Sequence, residues 1–317
     1  FIVVEKPPLP LSTPELDQIY DLPFERKPHF KYNEKIPAYE TIKFSISATR
    51  GCFGGCTFCA ITLQQGRDIQ SRSPQSVHRE VESLKKLPSF KGTITDVGGP
   101  SANMYGIKGK DLEICKSCKK MSCLFPKICF NLNTDHTSQI ELLRQVRAQQ
   151  GVKHVYVNSG IRYDLALESP AYIQEIATHH TQGILSVAPE HTDKDVLELM
   201  KKPPIEKYNE FVEQFECATK AAQKKQYLSP YFISSFPGAD KEVNLKMKDY
   251  FVKNKMRPEQ IQDFIPTPMT LATAIYYSEL HPRTKAPVYV EKAISSRKEQ
   301  KRTLLAHHGP PFRKPGK

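Results

Sequence analysis

The sequence predicts a parallel α/β fold. Between residues 42 and 265, short runs rich in β-branched and aromatic residues alternate with longer stretches whose apolar side chains recur at helical spacing. Consecutive units of this kind are joined by right-handed crossovers that return the chain to a parallel strand. Glycines, cysteines and polar residues collect just after the strand-like runs, at the strand ends where parallel sheets and barrels place their chemistry.

Before that region, residues 1–40 contain Pro7, Pro8, Pro10, Pro14, Pro23, Pro28 and Pro37 with little periodicity, so an extended lead-in along the surface is expected. The first strand, Ile42 to Ser47, alternates apolar and polar residues. Ser73 to Leu87 opens with Ser-Pro, an N-cap followed by proline in the first turn, and carries Val77, Val81 and Leu84 at helical spacing. Gly92 to Pro100 reads as a strand running into two glycines. The alternation then continues as strand near Lys127 to Leu132, helix Ser138 to Gln149, strand Val152 to Asn158, helix Pro170 to His179, strand Ile184 to Ala188 and helix Asp193 to Lys201. A longer helix from Ile205 to Lys225, a strand at Tyr231 to Ser235, a helix from Lys241 to Lys255 and a strand near Ile261 to Ile265 complete six βα units and one last strand.

Composition sets the class. The 317 residues are 39% hydrophobic with a mean hydropathy of −0.50, which suits a soluble globular protein able to bury a sizeable core. No run of about 18 apolar residues is present, so no membrane helix is expected. Phe1 to Pro10 lacks the basic start and cleavage site of a signal peptide. Seven of the eight cysteines fall in two tight groups, a pattern of metal binding in a reducing, cytoplasmic setting rather than of a disulfide framework. The chain starts on Phe, as a fragment of something longer would. From His281 to Lys317, ten Lys or Arg face two Glu, so a surplus of eight of the net +12 sits in this stretch. A basic, partly disordered C-terminal tail over 269–317 is the reading favoured, with nucleic acid as its possible anionic partner.

The chemistry centres on Phe44 to Cys59. Cys52, Cys56 and Cys59 follow CxxxCxxC, with Gly51, Gly54 and Gly55 among them and Phe58 before the last cysteine. Glycines permit the tight turns that let three thiolates converge, and three ligands leave one metal position open. A structural zinc knuckle or a redox thiol set is the alternative, but zinc normally closes with four ligands. Walker A, HExxH and GxGxxG motifs are absent, which removes common nucleotide-binding and zinc-hydrolase readings.

This loop resembles the cluster loop of the radical S-adenosylmethionine superfamily. With Gln65 to Ser73, Ser122 to Pro126 and Ser159 to Leu165, the chain is similar to the YgiQ-like proteins of that superfamily from about Leu9 to about Pro268. The resemblance implies an open partial (β/α)6 TIM-type barrel over 41–268 and a further N-terminal region beyond this chain. It implies a 4Fe-4S cluster on Cys52, Cys56 and Cys59 whose fourth iron binds S-adenosylmethionine (SAM). It also implies reductive cleavage of SAM to a 5′-deoxyadenosyl radical, hydrogen abstraction from an unidentified substrate, and an electron donor of the flavodoxin or ferredoxin type. Phe58 would contact the adenine. Gly98 and Gly99 stand where the superfamily has Gly-Gly-Glu, with Pro100 in place of the Glu. Ser159 and Arg162 would meet the ribose or carboxylate of SAM, although a salt bridge from Arg162 to Asp164 is an equal claim on that guanidinium. Glu190 and His191 follow the fifth strand, and Phe236-Pro-Gly238 resembles an adenine-contacting turn. His136, Glu190 and His191 are candidate acid–base groups, with structural hydrogen bonding the commoner role for a lone histidine.

Cys115, Cys118, Cys123 and Cys129 form a second group, CxxCx4Cx5C, in an insertion over about 111–129. Four neighbouring thiolates repel unless a cation neutralises them, so an auxiliary iron–sulfur cluster or a Zn(Cys)4 site is expected, with free thiols the alternative. Cys217 shares a stripe with Phe211, Val212 and Phe215 and reads as a core residue. A zinc- or cluster-bearing nucleic-acid-binding module, or an RNA-modifying enzyme of the same superfamily, are the rival readings.

Overall fold

The structure is a computed structural model that describes residue 3 and residues 9–306. Two short helices, α1 (Thr13–Tyr20) and α2 (Pro37–Ile42), stand where an extended lead-in was expected. Pro14 suits the first turn of α1, and Glu15 reaches back to the Ser12 N–H at 2.8 Å. Leu16 is 1% exposed, and Asp17 accepts from the backbone N–H and hydroxyl of Ser73, so the lead-in braces the N-terminus of a core helix.

The core begins with β1 (Ser45–Ser47), the short β2 (Thr49–Arg50), α3 (Ile61–Gln65), β3 (Gln70–Ser71) and α4 (Pro74–Lys85). It continues through β4 (Thr93–Ile94), β5 (Asp96–Gly98), α5 (Leu112–Ser117), α6 (Thr137–Arg147), β6 (His154–Val155), α7 (Tyr163–Ala166) and α8 (Pro170–Glu175). It closes with β7 (Ile184–Glu190), α9 (Lys194–Met200), α10 (Ile205–Ala221), β8 (Tyr227–Ser234), α11 (Lys241–Lys253), β9 (Gln260–Asp263), α12 (Leu271–Ser278) and α13 (Ile294–Leu305).

β1 pairs parallel with β5, β4 with β6, β7 with β8 and β8 with β9. β4 and β5 are two halves of one strand, and Val97 N–H to Tyr156 O at 3.0 Å carries the pairing past β6. A parallel bridge between Ile161 and Val187 links the third strand segment to the fourth. Six parallel strands therefore follow one another in sequence order, the α/β partial barrel expected. The loop after β1 is tied to the helices that follow the fourth and sixth strands: Thr57 N–H donates to Met200 O of α9 at 3.1 Å, and Thr57 O accepts from Ala272 N–H of α12 at 2.9 Å.

The helices cover the strands as their spacing dictates. Val77, Val81 and Leu84 of α4 are fully buried against Ile46 and Ile94, at about 2 kcal/mol of apolar burial each. Tyr208, Phe211 and Phe215 do the same on α10, while Cys217 lies on that helix's exposed side, not in the core. A helix turns by 100° per residue, so two positions beyond Phe215 the stripe has been left behind.

Two further expectations change. Lys127 to Leu132 forms no strand: its apolar side chains Ile128, Cys129 and Leu132 pack on Phe53, Met104 and Ile107, and its backbone bonds go to local turns such as Cys129 N to Cys123 O at 2.8 Å. An apolar run can be buried by a satellite cluster without joining a sheet. The basic C-terminal stretch is not a loose tail as far as residue 306. Leu304 of α13 is fully buried against Phe232, Met247 and Phe251, and Gln300 joins Ser235 Oγ at 2.7 Å and Asn244 Nδ2 at 3.0 Å. Residues 307–317 of the expected tail lie outside the described residues. Among the described residues no helix is long and apolar enough to cross a membrane.

Candidate cluster site at the strand ends

The loop that carries Cys52, Cys56 and Cys59 is held at both edges. Gly51 (φ 89°) and Gly55 (φ 63°) occupy left-handed backbone, and a Cβ at either would fall 2.4 Å from a main-chain oxygen, of Asp68 and Met121 respectively. Only glycine meets both conditions. Cys52 N–H donates to Gly66 O at 3.0 Å and Thr62 Oγ to Cys52 O at 2.8 Å. Thr57 Oγ donates to Leu199 O at 2.7 Å, so this loop satisfies carbonyls that the C-terminus of α9 would otherwise leave open.

The three thiols are half-buried and free of disulfides. Cys52 Sγ accepts from Gly54 N–H at 3.4 Å, Cys59 Sγ from the Ile61 backbone, and Cys56 Sγ from Arg162 Nη1 at 3.3 Å. Burial, reinforced by the neighbouring Cys56, pushes the Cys52 thiol up; burial also raises Cys59, with Cys56 and Glu190 adding to it. Such thiols become ligands when a cationic centre takes up their charge. Among the described residues no three His, Cys, Asp or Glu side chains stand close enough to chelate a single metal ion. A four-iron cluster, with each ligand on a separate iron, does not require that spacing. Three thiols with one donor each, on a loop locked at both ends, fit such a group.

Arg162 is 7% exposed. Its Nε and Nη2 donate to Asp164 at 2.9 and 2.6 Å, so the salt bridge weighed from sequence is the one that forms. Burial opposes the guanidinium charge, but Asp164 and then Cys56 outweigh it and hold Arg162 well above its ordinary range. The same pairing holds the Asp164 carboxyl below its ordinary value against its own burial. Asn103 fixes the backbone beneath: Arg162 N–H donates to Asn103 Oδ1 at 2.7 Å and Asn103 Nδ2 to Arg162 O at 2.9 Å. Asn103 had no sequence signal beyond being one polar residue in the apolar run Ala102 to Tyr105.

The other expected residues separate into three groups. Phe58 meets Phe236 edge to face, centroids 6.3 Å apart, which joins the cluster loop to the Phe-Pro-Gly turn. Glu190, at a register shift of β7 with φ 72°, is 7% exposed and its Oε2 has no partner; burial raises it while Lys202 and Arg162 pull the other way. Lys202 itself donates to Ala188 O at 2.5 Å. Gly98 and Gly99 have their Cβ space filled by the chain: a Cβ at the first would collide with Ser159 Oγ, and one at the second would fall 2.6 Å from Thr49 Cγ2. These glycines let the first three strand ends close on one another. The exposed Ser159 and Asn158 both donate N–H to Asp96 Oδ1, at 3.0 and 2.7 Å.

His136 and His191 stand apart from the thiols. His136 is fully buried, with Nδ1 2.9 Å from Thr134 O and Nε2 3.4 Å from Asn103 Nδ2, and it stacks on Tyr172. Both ring nitrogens of His136 are thus engaged inside the fold. His191 is fully buried too, its Nδ1 accepting from Asp193 N–H at 3.0 Å and its Nε2 without a partner. Burial brings both imidazoles down to about 4.

The second cysteine group abuts the first. Cys123 N–H donates to Phe53 O at 2.9 Å and Ser122 Oγ to Gly54 O at 2.7 Å, while Cys52, Cys123 and Cys129 share one apolar wall. Asn131 Nδ2 lies 3.3 Å from Cys115 Sγ, and Arg67 bonds Lys120 O and Cys115 O at 2.6 and 2.8 Å. Burial, with Cys129 next, pushes the Cys123 thiol up to about 11. Half-buried Cys118 is drawn down by the Lys120 backbone N–H and the Arg67 side chain.

Comparison with known proteins fixes the family. Residues 46–242 match the Radical SAM superfamily. The chain belongs to that superfamily. Residues 1–45 match the Radical SAM N-terminal family, and residues 259–310 a domain of unknown function, DUF3362. The radical SAM core is similar to UPF0313 protein RPA0679 of Rhodopseudomonas palustris, 48% identical over 96% of this chain and 46% of the relative. A UPF0313 protein of Methanocella arvoryzae is 47% identical over 98% of this chain and 52% of its own. The chain thus spans about half the length of the curated relatives it matches. Among solved structures, methylornithine synthase (PylB) aligns with a TM-score of 0.47 at 12% identity, over 82% of this chain and 61% of that one. The cobalamin- and cluster-bound radical SAM methyltransferase TsrM of Kitasatospora setae gives 0.46 at 13%, over 88% and 50%.

Proposed function

We propose that this chain is the catalytic core of an enzyme that cleaves SAM reductively and abstracts a hydrogen atom from a substrate still to be identified. The observation that carries the reading is the loop of Cys52, Cys56 and Cys59, locked at the end of the first strand beside Arg162, Glu190 and Phe58. Cys52, Cys56 and Cys59 would hold a 4Fe-4S cluster, which would supply the one-electron reduction of SAM.

The chain's own residues do the rest. Cys52, Cys56 and Cys59 bind the cluster as thiolates, their charge moderated by the Gly54, Ile61 and Arg162 donors. The Gly98–Gly99 main chain and the exposed Ser159, whose side chain also bonds Asp96, would line the SAM amino and ribose side, while Phe58 and the Phe236 turn flank the adenine. Glu190, with an unpartnered buried oxygen, takes up a donor from the cofactor. Arg162 has its fork filled by Asp164, so the SAM carboxylate is left to other donors.

Cys115, Cys118, Cys123 and Cys129 would hold a second iron–sulfur centre, with Asn131 and Arg67 bonded around it; the zinc alternative has less support, because the described residues bring no three ligands together on a single ion. An acidic one-electron donor of the flavodoxin or ferredoxin type and a cytoplasmic site complete the reading. Nucleic-acid binding through the basic stretch has less support, because α13 is docked on the fold by Leu304 and Gln300.

Anaerobic reconstitution with iron and sulfide, reduction with dithionite and assay for 5′-deoxyadenosine test the proposal. Wild type is expected to form it and Cys56→Ala to form none. No product from a wild type that holds iron and sulfide would overturn the reading. Iron, sulfide and zinc counted in a Cys115/Cys118 double variant assign the second centre.

A further inference from the structure

We propose that Arg162 sets the reduction potential of the cluster held by Cys52, Cys56 and Cys59, through its Nη1 hydrogen bond to Cys56 Sγ, with Asp164 as the counter-charge that limits the effect. The inference rests on the cluster reading above and deepens it.

Each of the three thiols receives one donor, but the donors differ in kind. Those of Cys52 and Cys59 are backbone N–H groups of Gly54 and Ile61, fixed by the fold and carrying no net charge. Cys56 alone receives a charged side chain, at 3.3 Å. The guanidinium is pinned on every side: Asp164 takes Nε and Nη2 at 2.9 and 2.6 Å, and Asn103 holds its backbone. Space for the remaining nitrogen comes from Gly54, where a Cβ would sit 3.2 Å from both Arg162 Nη1 and Cys52 Sγ. Glycine there leaves open the gap through which the guanidinium reaches the ligand sulfur.

The physical consequence has a definite sign. On reduction, one electron passes to the cluster from a one-electron donor, dithionite in the test; no bond breaks and no proton need move. The added negative charge is shared with the ligand sulfurs. A buried, hydrogen-bonded cation next to one of them stabilises the reduced form more than the oxidised form and raises the potential. Arg162 and Asp164 are both buried, so bulk solvent screens the charge weakly. The Asp164 carboxylate, locked to the same guanidinium, opposes this, so removing either partner moves the potential in opposite directions. A purely structural ion pair would not give that pattern, since loss of either half would then loosen the same site.

The test uses the full chain, reconstituted anaerobically, as wild type, Arg162→Gln, Arg162→Lys and Asp164→Asn. Iron and sulfide per chain are counted, and the midpoint is read by dithionite titration with mediators. The electron paramagnetic resonance signal that SAM perturbs is followed, so that a second centre does not contribute. At the wild-type midpoint, Arg162→Gln is expected to lower the reduced-to-oxidised ratio at least tenfold, about 59 mV for one electron. Asp164→Asn is expected to raise it, and Arg162→Lys to stay within tenfold of wild type. A midpoint unmoved in Arg162→Gln, or both substitutions shifting it in the same direction, overturns the inference while leaving the cluster reading intact. A wild type that assembles no cluster overturns the cluster reading itself.

Discussion

Removing Asn103 is expected to destabilise the fold without touching a thiol or a charge. Its side chain is fully buried and satisfies both main-chain groups of Arg162, accepting from N–H at 2.7 Å and donating to the carbonyl at 2.9 Å. In Asn103→Ala the carbonyl keeps its bond from Ala166 N–H at 2.9 Å, but the Arg162 N–H stays buried without a partner, and such an orphan costs about 1–3 kcal/mol. A loss of about 2 kcal/mol is a fair central figure. With a urea m-value of about 3 kcal/mol/M for a chain of this size, the midpoint should fall by about 0.7 M at unchanged m. Urea titration followed by circular dichroism on the unreconstituted protein measures this. A fall of less than about 0.3 M would mean that Arg162 is held by its ion pair alone, and the reasoning about Asn103 would fail.

The remaining expectations follow from burial and backbone geometry. His136 and His191 are brought down to about 4 by burial, so the unfolded chain protonates first. Their contribution is complete above about pH 6.5 and is lost as pH falls toward 4, at about 1.4 kcal/mol per unit for each histidine. Urea midpoints should therefore drop between about pH 7 and pH 5, with a shallower slope in a variant lacking His136; equal slopes would exclude His136 as a source. Gly55→Ala places a Cβ 2.4 Å from Met121 O at φ 63°, and should destabilise by more than the 1–2 kcal/mol of left-handed backbone alone. Unchanged iron uptake and unchanged thermal midpoint in that variant would show the loop to be more yielding than drawn. Leu304→Ala should cost about 2–4 kcal/mol in the same urea assay, because Leu304 is fully buried between α11 and β8. A neutral result would return the C-terminal stretch to the status of a tail.

Much of the fold was legible because strand and helix periods differ and each βα unit announces both. The helices α4, α6 and α9 fall within a residue or two of their expected starts, for Ser73 and Asp193 are N-caps bonded as their sequence suggests. Lys127 to Leu132 misled because period cannot tell which surface an apolar run will cover; here it is the wall beside Phe53. The lead-in helices were hidden by prolines, which are compatible with a first helical turn. At the site, the cysteines were legible from spacing alone, but their support was not. Asn103 and Lys202 act through contacts with residues 59 and 14 positions away, and such pairs leave no local pattern. The basic C-terminal stretch misled for a related reason. Lys298 and Arg302 of α13 are exposed, while Leu304 and Gln300 on the same helix are buried and carry the docking.

The grip of Thr57 on distant carbonyls bears on how the protein is made. Its hydroxyl partner, Leu199, lies 142 positions downstream, and its main-chain oxygen waits for Ala272. During synthesis the three thiols therefore emerge long before the segments that hold their loop in shape. Until the later strands have joined the sheet, those sulfurs sit on an unbraced turn, open to oxidation or to the wrong metal. Iron offered to these thiols would meet a braced loop only once the chain's second half is in place.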